Sequence, residues 1–524
     1  MPQKAAMEKC VRGTAGGRTF LRPEGRAPGR GLPRYFGIRA KIRITSRSLA
    51  DLEGLLESSF ARAVHFSMLL LQNGRSSFTC KGVSRRSALK AGFLGALGLS
   101  SADLLRLQAQ GAAQKKGKSV ILLWLDGGPS HLETYDPKPE ASSAYRGPWG
   151  AIETNVSGIR ISEQLPLHAK HADKMVFLRS VHHKNGDHFA AGHWMLTGRY
   201  GSHSTDKDQK YPSVGAYVSR VQGARAPGVP AYVGLPSAQS IYLFPGYQGA
   251  AYLGPAFNPF DVNTAQKYLA ANHAGPVQKP QCLDNFSGDV ARTQSRVDLL
   301  TQLDGFRRDL DRGRLMDAMD RYQAQAVDMV TGNRAREAFD IEREDAKTRD
   351  RYGRGPWGHY TLLARRLVES GVSFVTVDMP HWDDHSGIAK GHGYKLPVLD
   401  RAVGALVEDL SDRGMLNDVL VMVMGEFGRT PKINEGQPGI PIPGRDHWGD
   451  VFSVMLAGGG LKTGQVIGAS SVNGEFPVER PLTPADVLAT VYHVLGIDPE
   501  KTFDDFAGRP VPIIDGGQAI REII

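Results

Sequence analysis

Residues 119–131 read SVILLWLDGGPSH: an almost wholly apolar run of seven residues, then Asp126, two glycines, Pro129, Ser130 and His131. The run lacks the polar alternation of a half-exposed strand, so it predicts a strand covered on both faces. Met175–Leu178, Ser373–Val377, Val419–Met424 and Ser453–Leu456 repeat the pattern. Helix-spaced segments fall between them at Val214–Gln222, Leu362–Ser370, Leu396–Arg413 and Ala485–Leu495. Pro484 stands in the first turn of the last, where its missing N–H costs nothing. Strand–helix alternation of this kind predicts an α/β fold: a large, mostly parallel sheet with helices on both faces.

In open α/β sheets, ligands gather outside the carboxyl ends of the strands. Those ends carry the polar strings here: Asp126-Gly127-Gly128-Pro129-Ser130-His131, Asp378 through His381 to Trp382-Asp383-Asp384-His385, and Gly425-Glu426-Phe427-Gly428-Arg429-Thr430. Gly444-Arg445-Asp446-His447-Trp448-Gly449 lies just before the Ser453 strand, and HHKNGDHFAAGHWMLTGR (182–199) follows the Met175 strand. Mixed carboxylates and imidazoles suit a divalent cation, one ion or two, with zinc foremost and calcium, manganese or magnesium as alternatives. One Asp-x-His alone is usually a surface or capping pair; clusters coinciding at several strand ends point to metal. Asp378 has a competing role, capping the turn that leaves its strand.

The 524 residues are 41% hydrophobic and 23% charged, with only three cysteines, Cys10, Cys80 and Cys282. That excludes a disulfide scaffold and a CxxC…CxxC zinc module. The net charge of +10 is uneven: residues 1–67 and 68–118 each carry +8, which leaves −6 for 119–524. A mildly acidic folded part argues against nucleic acid as a partner. Residues 84–100, SRRSALKAGFLGALGLS, place Arg85-Arg86 before a short Gly/Ala/Leu run, with Ala109 and Ala113 suited to cleavage. This is the pattern of a twin-arginine export signal, and it predicts the export machinery as a partner, a periplasmic or extracellular destination and no membrane span in the mature chain. About 80 residues precede it, more than such signals carry, so translation is expected to start at Met68, with 1–67 a gene-model extension or a disordered basic tail. The signal region is then 68–113, and one domain spans 119–524. Within that domain, 223–285 reads as an irregular Gly/Pro/Tyr-rich excursion. Residues 290–350 read as helical, with Val297, Leu300, Leu303, Phe306 and Leu310 on one stripe, so the insert covers about 223–350.

The strings GGPSHLETYDPKP, HFAAGHWMLTG, WDDH, GEFGRTP and GRDHW, in that order, resemble domain-of-unknown-function family 1501 over about 119–518. That family consists of secreted bacterial proteins, abundant in planctomycetes, and is grouped with the alkaline phosphatase and sulfatase superfamily. The resemblance implies an alkaline-phosphatase-like architecture and hydrolysis of phosphate or sulfate esters, on a small molecule or a polysaccharide. By position it implies Asp126, Asp383, His385, Glu426, Asp446 and His447 as metal ligands, with His193, Asp378 and His381 as additional candidates.

The nucleophile departs from the superfamily pattern. Alignment on Leu196-Thr197-Gly198 puts His188 where sulfatases have a modified Cys or Ser, and 186–196 contain neither Ser nor Thr. A formylglycine sulfatase is therefore not expected. Metal-activated water, Ser130 or His188 remain as attacking groups, with His188 also a candidate ligand. Arg429 reads either as a clamp for an anionic oxygen or as a buried ion-pair partner. A non-catalytic cell-envelope protein that keeps the fold and a structural metal is the competing function.

Overall fold

The computed structural model describes residues 117–201, 209–237, 248–262, 280, 329 and 332–524. The twin-arginine string, the Val297–Leu310 stripe and the three cysteines lie outside the described residues. Eight strands form the main sheet: β1 (Ser119–Trp124), β2 (Met175–Val181), β3 (Tyr232–Leu235), β4 (Phe260–Asp261), β5 (Phe374–Asp378), β6 (Val419–Met424), β7 (Phe452–Gly458) and β8 (Gln465–Ile467). Their order is β8-β2-β7-β6-β1-β5-β3-β4. Every neighbouring pair is parallel except β7 with β2 and β7 with β6. The predicted mostly parallel α/β sheet is what the chain forms.

The apolar strand runs divide by residue parity, because successive strand side chains leave opposite faces. Ile121 and Leu123 enter one core, against α3 (Pro356–Ser370) and α4 (Ile388–Asp412). Val120, Leu122 and Trp124 enter the other, against α1 (His188–Thr197), α2 (Val214–Gln222) and α5 (Pro484–Leu495). Each large apolar side chain so buried contributes about 1.5–3 kcal/mol, so both faces need their helices.

Three readings of the sequence change. The 223–285 excursion contains β3, paired in parallel with β5 from Tyr232↔Phe374 to Leu235↔Val377. Four residues stopped by Pro236 just after Leu235 are too short a run to stand out among Gly and Pro, and the sheet decides their conformation. The long helix begins at Ile388, not Leu396, and carries Pro397 inside it. Gly391, Gly393 and Pro397 all disfavour helix, yet His392 and Lys395 are tied to Asp384, and those tertiary bonds outweigh propensity. The preceding helix starts at Pro356, six residues earlier than its apolar spacing predicts, with the proline in the first turn.

The reversal of β7 matters most for function. Because it runs against its neighbours, its beginning lies at the carboxyl end of the others, and so do the residues just before it. Among the described residues, no helix is long and apolar enough to cross a membrane.

Candidate metal centre

Asp126 follows β1, Asp378 ends β5, Glu426 follows β6, the 182–187 loop follows β2, and His447 precedes β7. The loops are stitched to each other: Met379 N–H donates to Trp124 O at 2.8 Å, Trp382 N–H to Asp126 O at 3.0 Å, and His183 N–H to Gly449 O at 2.9 Å. Gly127 has φ +110°, and a Cβ there would meet the Trp382 and Asp383 backbone nitrogens at 2.8 Å. Gly128 has φ +76°, and a Cβ there would strike the Phe427 ring. Two glycines thus let the Asp126 turn close against the two loops that carry Asp383 and Glu426.

Asp383 is the centre of the site. Its Oδ1 lies 2.9 Å from His385 Nε2, 2.9 Å from His447 Nε2 and 2.7 Å from Arg429 Nη2. Its Oδ2 lies 3.5 Å from His188 Nε2. The other ring nitrogen of each histidine faces an acceptor: His447 Nδ1 lies 2.7 Å from Gly186 O, His385 Nδ1 2.7 Å from Asp446 Oδ1, and His188 Nδ1 2.6 Å from Glu426 Oε1. Carbonyl and carboxylate oxygens have only lone pairs, so each Nδ1 carries the proton. In a neutral ring the Nε2 lone pair then points at the Asp383 carboxylate. His385 Nε2 and His447 Nε2 are moreover only 2.9 Å apart. Lone pairs facing lone pairs repel unless a proton or a metal cation lies between them.

The electrostatics follow from this crowding. Burial raises the Asp383 carboxyl, but hydrogen bonds from His188, His385 and His447 and the Arg429 charge outweigh it and hold it well below the ordinary carboxylate range. Burial lowers His188, yet the carboxylates of Asp383 and Glu426 override this and lift it to about 9. The Asp383 bond raises His385. His447 moves the other way, lowered by burial and by the nearby Arg429 and His188 charges.

The donor set fits a divalent cation. One ligand atom each of His188, Asp383 and His447 lies within 4.8 Å of the others, and His385 joins through the distances above. Nδ1–H bound to a carboxylate or carbonyl with Nε2 turned inward is the orientation that second-shell partners impose on metal-binding histidines. Among the described residues, Glu426 Oε2 is buried without a hydrogen-bond partner, while Oε1 is held by His188 Nδ1 and Gly127 N–H.

The other sequence-predicted residues are distributed differently. Glu426 and Asp446 stand behind His188 and His385, on Nδ1, rather than on the Nε2 side. Glu426 Oε1 also accepts from Gly127 N–H at 2.9 Å, which ties the β1 and β6 loops together. Asp126 and Asp378 are buried at their strand ends, and neither belongs to the three-residue group. His381 has φ +76°, and its backbone oxygen accepts from Lys395 Nζ. His193 lies in α1, where its ring faces Arg199 O at 3.0 Å. Ser130 is fully buried, and its N–H donates to His392 Nε2 at 3.0 Å. Arg429 is fully buried as well, donating to Gly128 O at 2.8 Å, to Gly127 O, to Arg445 O at 3.3 Å and to Asp383. Its guanidinium therefore positions Asp383 and the glycine turn, and the clamp reading gives way to the ion pair.

Sequence reasoning passed over a second, buried set. Asp384 Oδ2 accepts from His392 Nδ1 at 2.7 Å and from Lys395 Nζ at 2.8 Å, and His392 Nε2 in turn accepts from Ser130 N–H. Glu133 Oε1 takes Arg445 Nε at 3.0 Å and Nη2 at 2.8 Å, fixing the strand ribbon that presents Asp446 and His447. Glu133, Asp384 and Arg445 all sit inside the quoted strings; His392 and Lys395 lie on a helix turn whose glycines hid it.

The family described as a protein of unknown function (DUF1501) matches residues 117–524. The chain belongs to it. No curated protein sequence matches the chain. Among solved structures it is similar to the PsFucS1 sulfatase from Pseudoalteromonas sp., at 14% identity over 76% of this chain and 70% of that one, with a TM-score of 0.32. It is also similar to alkaline phosphatase from the Antarctic bacterium TAB5, at 12% identity over 74% of this chain and 100% of that one, TM-score 0.32. Ps i-CgsB in complex with k-i-k-neocarrahexaose gives 11% identity over 73% of each chain, TM-score 0.34. For this family member, the arrangement around Asp383 is the feature from which a function can be argued.

Proposed function

We propose that the protein is an exported, metal-dependent hydrolase of phosphate or sulfate esters. One observation carries the reading: three histidines, from the start of α1, the loop after β5 and the short strand before β7, direct Nε2 toward one aspartate, each with its Nδ1 proton engaged behind it. His188, His385, His447 and Asp383 would hold the cation, and the imidazole majority favours zinc over calcium or magnesium. A divalent cation held by these residues would supply Lewis acidity at neutral pH.

The remaining work falls to the chain. Arg429 holds Asp383 and both glycine carbonyls in one arrangement. Glu426 and Asp446 keep the Nδ1 protons of His188 and His385, which leaves Nε2 as the donor atom. The nucleophile this geometry supports is water, since Ser130 is enclosed and His188 is turned to Asp383 and Glu426. Arg85-Arg86 support export of the folded chain by the twin-arginine route.

The test is metal analysis by mass spectrometry on the full purified chain, with a screen of nitrophenyl phosphate, phosphodiester and sulfate. The expected result is near-stoichiometric zinc and turnover of at least one ester, both lost in His447→Ala. Stoichiometric metal with no turnover of any ester would leave a non-catalytic envelope protein.

A further inference from the structure

His183 follows β2 by two residues and is 6% exposed. Its Nδ1 accepts from Asn185 N–H at 3.0 Å, so that nitrogen carries no proton. The ring proton is therefore on Nε2, which donates to Glu426 O at 2.6 Å. The ring stacks on Trp194 of α1, centroids 5.4 Å apart, and tilts against Phe452 of β7 at 5.2 Å. One neutral imidazole thus spans the loops after β2 and β6, with both ring nitrogens bonded to backbone.

Each bond ends beside a group that backs a histidine of the centre. On the Nε2 side, Glu426 places Oε1 2.6 Å from His188 Nδ1. On the Nδ1 side, Asn185 is followed by Gly186, whose O lies 2.7 Å from His447 Nδ1. Asn185 Oδ1 also accepts from Asp187 N–H at 2.8 Å, and Asp187 caps α1 through Ala190 N–H at 2.9 Å, directly before His188. The backbone ties the same region to the third loop: His183 and Lys184 N–H both donate to Gly449 O, at 2.9 and 3.1 Å, two residues past His447. Gly449 has no room for a side chain, because a Cβ there would collide with the Asn185 backbone and lie 2.9 Å from His183 Nδ1. His188 and His447 themselves meet edge to face, ring centroids 4.2 Å apart.

We infer that His183 is a positioning residue for the metal centre. Through Glu426 on one ring nitrogen and the Asn185–Gly186 turn on the other, it sets the spacing of His188 and His447. Both histidines are aimed by an acceptor behind Nδ1, so displacing either acceptor turns an Nε2 away from Asp383. Packing between Trp194 and Phe452 needs only an aromatic ring, whereas positioning needs both nitrogens. This role rests on the reading that the centre holds a cation.

The test uses the full-length chain, with zinc affinity measured by chelator competition and the visible spectrum recorded after cobalt substitution. His183→Phe keeps a ring between Trp194 and Phe452 and removes both bonds. Its zinc Kd is expected to rise about tenfold or more, with cobalt bands changed in position and intensity. His183→Gln puts an amide where Nε2 was, and His183→Asn puts one where Nδ1 was. Each returns one bond and is expected to recover part of the affinity and of the spectrum. Wild-type affinity and spectrum in folded His183→Phe would reduce the residue to packing and overturn the inference, with the metal centre intact. Should His183→Phe fail to fold, wild-type affinity in both the Gln and Asn variants overturns it equally. A wild-type chain that binds neither zinc nor cobalt removes the cation reading, and the positioning role falls with it.

Discussion

Asp383 and Asp384 are consecutive carboxylates in one Trp-Asp-Asp-His string, yet they live in opposite electrostatic circumstances. Asp384 meets Lys395 at 2.8 Å and His392 at 2.7 Å, and His392 spends its remaining nitrogen on a backbone N–H. Every group in that set has its complement. Asp383 is paired with Arg429 at 2.7 Å but also meets three imidazoles whose Nε2 atoms crowd it and each other. The first set is complete from within the chain and serves to lock the loop against α4. The second is complete only when a proton or a cation enters. A self-neutralised cluster supports structure, whereas one that needs an outside charge is where binding is to be sought.

Four experiments break or sharpen that contrast. The largest effect is expected from Asp383→Ala: zinc content falls below one-tenth of wild type and ester turnover falls by about 10³-fold or more, because the shared carboxylate of the donor set is gone. Mass spectrometry and initial rates check it, and metal retained at wild-type level would place the cation elsewhere.

Asp384→Asn is expected to act on stability instead. It leaves Lys395 buried without its anion, which costs about 3–5 kcal/mol. Denaturant unfolding measures this loss, while the folded fraction keeps its zinc. A variant as stable as wild type would mean that the Asp384–Lys395 pair does not hold the loop.

The pH dependence should separate the two sets by sign. His188 is raised from 6.5 to about 9 in the metal-free fold. Its stabilising contribution is therefore fully present below pH 6.5 and is lost as pH rises through about 9. His392 is lowered from 6.5, burial being the largest cause. Its set is stable above pH 6.5 and loses stability as pH falls below that value. Metal-free protein unfolded in denaturant at a series of pH values should show the alkaline loss disappear in His188→Gln and the acid loss diminish in His392→Gln. Zinc competes with the His188 proton, so apparent zinc affinity should rise across the same alkaline range.

The smallest effect concerns additivity. Asp384→Asn/Lys395→Met removes both charges, so the double variant should be more stable than the sum of the singles predicts, by about 1–3 kcal/mol. Strict additivity would show that the two charges do not interact.

Much of the scaffold was legible because burial on both faces leaves a local record. The runs at 119, 175, 373, 419 and 453 can be read one at a time, and each is a strand. β3 and β8 were not legible, since three or four residues beside Gly and Pro have no pattern of their own and take their conformation from a neighbouring strand. The start of α4 was hidden for a related reason: GHGYKLP argues against helix until His392 and Lys395 are seen bound to Asp384. For the candidate centre, residue types and strand-end positions pointed to Asp383, His385 and His447. They could not rank ligand against supporter, so Glu426 and Asp446 read as equals of His447 although each stands behind a histidine.

From its order of residues alone, this chain determines membership of its family, a two-faced apolar sheet and a set of polar strings at strand ends, because composition and spacing are local properties. Tertiary structure decided which way those strings face. β7 runs against its neighbours, and that reversal carries His447 to the edge where Asp383, His385 and His188 already are. Strand direction depends on pairing between segments far apart in the chain, so short-range patterning cannot encode it, and the composition of the centre follows from that direction.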